Sequence, residues 1–139
     1  MVAKEKLIQK FLQLDEYIGL LNTISQTPKM KFLKDKILIG SAKYYLQVSI
    51  ECCLDVANHI IASERFRAPK DYADSFSILE ENGILAPALV VKLRQMAKFR
   101  NRLVHLYGEI DNQYVYEFIH NDLDDIKIFQ TVIIKKYIK

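Results

Sequence analysis

Between Lys31 and Ser63 runs a long stretch with Gly40 as its single glycine and no proline. Ile37, Tyr44, Tyr45, Val48, Cys52, Val56, Ile60 and Ile61 recur through it at helical spacings, yet they do not fit one narrow face. A helix that is apolar on most sides has to be covered on two of them. The stretch is therefore expected to be the central helix of the fold, covered by its own neighbours and, as one candidate, by a partner chain. Gly40 is expected to permit a bend or a close helix approach.

The rest of the chain reads as helices arranged around that one. Leu7, Phe11, Leu14, Ile18 and Leu21 mark a first helix from Lys4 to Ile24, broken by Thr27-Pro28. Asp71 can cap a short helix from Tyr72 to Glu81, ended by Asn82-Gly83. Pro87 sits in the first turn of the next, which runs to His105, and Gly108 closes that region. Asp111 or Asn112 opens a last helix carrying Val115, Phe118, Ile119, Leu123, Ile126, Phe129 and Ile133 toward the core. Only 4 Gly and 3 Pro occur in 139 residues, which favours long elements over tight turns. No strand alternation of useful length is present. The expected class is all-α, an up-down bundle of four main helices plus a short helix, in one domain over residues 1–139.

Composition narrows the function classes. Half of the residues are hydrophobic, which is high for one small bundle and leaves apolar surface for an oligomer interface. A net charge of +3 is too mild to indicate nucleic acid by itself. Lys135, Lys136 and Lys139 suit a solvated helix C-terminus. Cys52 and Cys53 are adjacent on a helix, so a disulfide between them would be strained. They read as reduced core thiols, and the expected location is cytoplasmic. No signal peptide and no membrane span are expected. His59 follows Asp55 by four residues and is expected to pair with it. His120 lies in a polar patch with Asn121 and Asp122. Neither histidine has metal-ligand spacing, and no cofactor is expected.

One position breaks the pattern. Ala86, Leu89, Val90, Leu93, Met96 and Ala97 form an apolar stripe whose next step falls on Arg100. The stripe then resumes at Leu103, Val104 and Tyr107. Arg94, Lys98 and Arg102 recur every four residues and read as a solvated basic face. A guanidinium in an apolar stripe needs an anionic partner or a wet cleft. Gln47, Glu51, Asp55 and Asn58 form a polar stripe on the central helix, with Glu51 and Asp55 as candidate partners. That arrangement reads either as a register-fixing ion pair or as a functional site. His105 lies five residues beyond Arg100, about 140° around an ideal helix. The two share a site only if the helix ends or distorts there, or if a second protomer completes a cleft. Asn101 and His105 are four apart and share a face, so Asn101 is placed to orient the imidazole. Arg can stabilise a phosphorane and His can move protons, and in principle the two suffice for metal-free RNA cleavage.

Arg100-Asn101-Arg102-Leu103-Val104-His105 resembles the R-x4-H signature of HEPN domains. With Tyr107 it resembles the longer R-x4-H-x-Y form of the HepT toxin branch. Phe99, Gly108-Glu109-Ile110-Asp111 and the segment from Glu51 to Ile61 look like that branch too. The resemblance implies a homodimer whose two motifs line a shared cleft. It implies a metal-independent endoribonuclease, the toxin of a toxin–antitoxin pair, with Arg100 and His105 catalytic and Asn101 in support. It further implies a minimal nucleotidyltransferase antitoxin as partner, which transfers AMP to Tyr107. The competing readings are a non-catalytic HEPN module that binds a nucleotidyltransferase or nucleotide, and a purely structural helical dimer.

Overall fold

The computed structural model describes residues 2–105 and 110–139, and among these every regular element is helical. The first stripe folds as α1 (Lys4–Ser25), with Leu7, Phe11, Leu14, Ile18, Leu21 and Ile24 all buried. Pro28 has no N–H to leave unpaired and precedes the short α2 (Lys29–Lys34), whose Phe32 is fully buried.

The expected single helix from Lys31 to Ser63 is divided at Asp35. That residue is extended (φ −105°, ψ 97°), and its carboxylate accepts the Leu38 N–H at 3.0 Å. This N-cap satisfies an otherwise orphaned donor, so α3 (Lys36–Ser63) starts afresh. Gly40 is exposed, and a Cβ there would meet nothing within 4 Å. It supports no close helix approach.

Two helices end in the same way. After α3 the Phe66 N–H donates to the Ile61 carbonyl at 3.0 Å, and the Arg65 N–H to Ala62 at 3.3 Å. After α4 (Tyr72–Glu81) the Ile84 N–H donates to Leu79 at 2.9 Å, and the Gly83 N–H to Glu80 at 3.0 Å. Both pairs are Schellman closures, which need a left-handed residue just past the cap. Gly83 takes it at φ 74°; in α3 the position falls to Arg65 at φ 58°.

α5 (Pro87–His105) carries the interrupted stripe. The expected final helix is two: α6 (Asn112–Asn121), capped by Asp111 through the Gln113 N–H, and α7 (Leu123–Ile133), with the break at Asp122. A π-helical turn, Ile134–Ile138, follows α7. The expected five helices are thus seven among the described residues.

Side-chain pairs fix the packing. Ala3 meets His59, Lys10 meets Asp55 and Tyr17 meets Tyr45, so α1 and α3 run antiparallel. Ser77 with Arg94, and Tyr72 with Arg100, set α4 antiparallel to α5. Phe76 of α4 packs edge-on against Phe129 of α7, and Phe99 of α5 stacks on Phe118 of α6. Cys52 and Cys53 are free and buried in this core, and burial pushes the Cys52 thiol up to about 11. Among the described residues no helix is long and apolar enough to cross a membrane.

Candidate active site

α5 brings Arg100 against α3 because the stripe that buries Leu93, Met96 and Ala97 continues through it. Its side chain is 15% exposed. Arg100 Nε and Nη2 donate to Glu51 Oε2 at 2.9 and 2.6 Å, and Nη1 donates to Asn101 Oδ1 at 3.2 Å. Gln47 also donates to Glu51 Oε2, at 3.4 Å. The guanidinium carbon lies 5.0 Å from the centre of the Tyr72 ring. An arginine has five N–H donors. Three are engaged here, which leaves one on each terminal nitrogen. Arg100 is therefore fixed from three sides and keeps two donors of the kind that grip a phosphate.

Asp55 stands elsewhere. Its carboxylate pairs with Lys10 Nζ at 2.9 Å, with both side chains exposed. It still lines, with Glu51, Leu54, Asn58, Tyr72 and Arg100, a cleft of about 160 Å³. His105 is exposed and lines a neighbouring cleft of about 490 Å³ with Asn58, Tyr72, Ser75 and Asn101. Asn58 and Tyr72 border both clefts. Arg100 and His105 thus open onto adjoining hollows, as their angular offset on α5 requires. Asn101 shares the cleft of His105, but its oxygen serves Arg100. Tyr107, with Leu106, Gly108 and Glu109, lies outside the described residues.

The other expected side chains divide. Lys98 and Arg102 are exposed, whereas Arg94 is half-buried and donates to Ser77 Oγ at 2.6 Å. His59 does not pair with Asp55. Its Nε2 accepts the Ala3 N–H at 3.1 Å, and burial, then Lys6, lowers its pKa. His120 lies 2.9 Å from each of two carbonyl oxygens, those of Tyr116 and Ser25, and ties α6 to the end of α1. Among the described residues no three of His, Cys, Asp or Glu converge as a metal set would. Tyr72 is the site residue that the sequence pattern passes over. In the sequence it enters only as the first residue of a short helix, and in the structure it stands in the first turn of α4, exposed.

Three comparisons bear on this geometry. The family model described as ribonuclease HepT-like matches residues 14–133. An mRNA nuclease HepT of Shewanella oneidensis is 33% identical over 103 residues, 74% of this chain and 77% of that protein. A putative RNase of Archaeoglobus fulgidus is 29% identical over 107 residues, 77% of each. Among solved structures, a tri-AMPylated HEPN toxin of Shewanella oneidensis in complex with its MNT antitoxin superposes with a TM-score of 0.88 at 28% identity. That match covers 94% of this chain and 98% of the toxin.

Proposed function

Because this chain belongs to the HepT-like ribonuclease family, we propose that it is the toxin of a toxin–antitoxin pair and cleaves RNA through Arg100 and His105. The observation that carries the assignment is the held guanidinium: Arg100 is oriented by Glu51, Asn101 and Tyr72, keeps two N–H groups, and lines a cleft that shares Asn58 and Tyr72 with the cleft of His105. Those two donors bind the scissile phosphate. The RNA 2′-hydroxyl attacks its own phosphorus, so the O2′–P bond forms as the P–O5′ bond breaks. His105 takes the 2′ proton and, as the imidazolium so formed, gives it to the leaving 5′ oxygen. Arg100 stabilises the charge that builds on the phosphoryl oxygens. The reaction so written has no step assigned to a metal. Cleavage should therefore persist in EDTA and leave 2′,3′-cyclic phosphate ends; linear 3′-hydroxyl products or a strict metal requirement would contradict it.

The active form is a homodimer. Ile37, Ser41, Tyr44, Val48, Glu51 and Asp55 fall on one face of α3, each within about 40° of its centre line. Ile37 and Tyr44 are 84% and 55% exposed. The apolar part of this stripe, interrupted only by the small Ser41, runs straight into the carboxylates of the site. A second copy seated on it would border the Arg100 cleft. The partner is a minimal nucleotidyltransferase antitoxin. It acts by placing AMP on Tyr107, two residues after His105, where added bulk and negative charge oppose RNA binding. The setting is the cytoplasm. The half-buried Arg100–Glu51 pair also suits a second reading, a purely structural helical dimer in which the pair only fixes register. RNA cleavage by the purified chain separates the two.

A further inference from the structure

Tyr72 is 46% exposed although it stands at the meeting of three helices. Its ring lies 5.0 Å from the Arg100 guanidinium carbon and borders both the Arg100 and the His105 clefts. The larger cleft, about 490 Å³, is also lined by Asn58 and Asn101. The orientation of Asn101 follows from its partner: a guanidinium only donates, so the amide oxygen faces Arg100 and the NH2 group turns away. Asn58 Oδ1 accepts the buried Ser75 hydroxyl at 2.8 Å, which leaves its NH2 group as the free end. One aromatic face and two amide donors thus surround a hollow that adjoins a phosphate-gripping arginine.

We infer that Tyr72 is a stacking platform for an unpaired nucleobase next to the scissile phosphate, with Asn58 and Asn101 donating to that base's ring acceptors. The base lies on the Tyr72 face turned from Arg100, and its own phosphate falls on the two remaining Arg100 donors. A base stacked on a side chain is withdrawn from a duplex, so the substrate class is single-stranded RNA. The inference rests on the ribonuclease reading above and specifies the substrate of that same site.

The test uses the full-length His105→Ala protein and a single-stranded oligoribonucleotide containing 2-aminopurine, whose fluorescence falls when it stacks on an aromatic ring. Fluorescence should be quenched on binding and remain quenched with Tyr72→Phe added. With Tyr72→Leu added, quenching should be lost and the apparent Kd should rise about tenfold or more. Helicity by circular dichroism confirms folding, and Tyr72→Gln is the second truncation if the leucine variant does not fold. The same strand annealed to its complement should bind without quenching. Unchanged quenching and affinity in both truncations would overturn the inference. So would displacement of the strand by AMP or UMP at the strand's own concentration, which would make the ligand a free nucleotide. If the wild-type chain cleaves no RNA while quenching follows Tyr72, the ribonuclease reading fails and the stacking site stands.

Discussion

At the residue scale, Arg100 was legible because it interrupts a stripe. An arginine where the 3–4 spacing asks for an apolar side chain announces a partner, and Glu51 lies among the polar residues that the pattern on α3 offered. The pattern could not choose between Glu51 and Asp55. They are four apart on one face, and the choice is made by Lys10 on α1, which takes Asp55. Tyr72 was not legible, since spacing gives a side chain's direction but not where its helix stops covering it. His59 shows the same limit: besides the Ser63 hydroxyl four residues on, at 3.4 Å, its Nε2 meets the Ala3 backbone N–H, which no side-chain pattern encodes. That contact has a pH signature. Nε2 accepts, so the imidazole there is neutral, and burial keeps its pKa below the ordinary value. The folded chain takes the proton less readily than the unfolded one. The contribution to stability is therefore complete above about pH 6.5 and is lost as the pH falls below it. The Tm of the wild type should drop more between about pH 7.5 and about pH 5 than that of His59→Gln, which keeps an acceptor but cannot titrate there. Equal drops would show that protonation of His59 is not linked to unfolding.

At the element scale, helix existence was read well and helix breaks were not. α4 ends as its Asn82-Gly83 punctuation demands, with Gly83 in the left-handed region. Asp35 and Asp122 divide stretches whose apolar spacing continues across them, so periodicity alone joined what the structure separates. At Asp35 the deciding force is a single cap hydrogen bond. The two Schellman closures form a natural experiment, because Arg65 holds the conformation that Gly83 adopts freely. A left-handed non-glycine residue costs roughly 1–2 kcal/mol, partly offset by the greater chain entropy that glycine loses. Arg65→Gly should therefore stabilise the fold by about 0.5–1 kcal/mol, a Tm gain of a few degrees by differential scanning calorimetry. A lower Tm would mean that the Arg65 side chain contributes more than its backbone costs.

At the scale of the whole molecule, much of the apolar content fills the core, and among the large apolar side chains left exposed on several helices, Ile37 and Tyr44 lie on α3 in line with Glu51. Burying them against a second copy would place the partner beside the Arg100 cleft. Tyr44→Glu puts a charge at the centre of that stripe, so the proposed dimer should run as a monomer in multi-angle light scattering. Helicity should be unchanged, because the side chain is already 55% exposed within one chain. A dimer that survives both Tyr44→Glu and Ile37→Glu would place the interface elsewhere. The all-helical class was legible in the 3–4 apolar spacings and the lack of strand alternation, whereas the count of elements was not, since it depends on the two aspartate breaks.

The central claim is that Arg100 and His105 act as one catalytic unit. Single-turnover RNA cleavage in EDTA by the wild type, Arg100→Ala, His105→Ala and the double variant tests it directly, with Arg100→Ala/Glu51→Gln included to avoid an unpaired half-buried carboxylate. Each single variant should lose about 10²-fold or more, and the double variant little beyond the worse single, because the two groups serve one transition state. Cleavage that survives in both single variants at near wild-type rates would contradict the account.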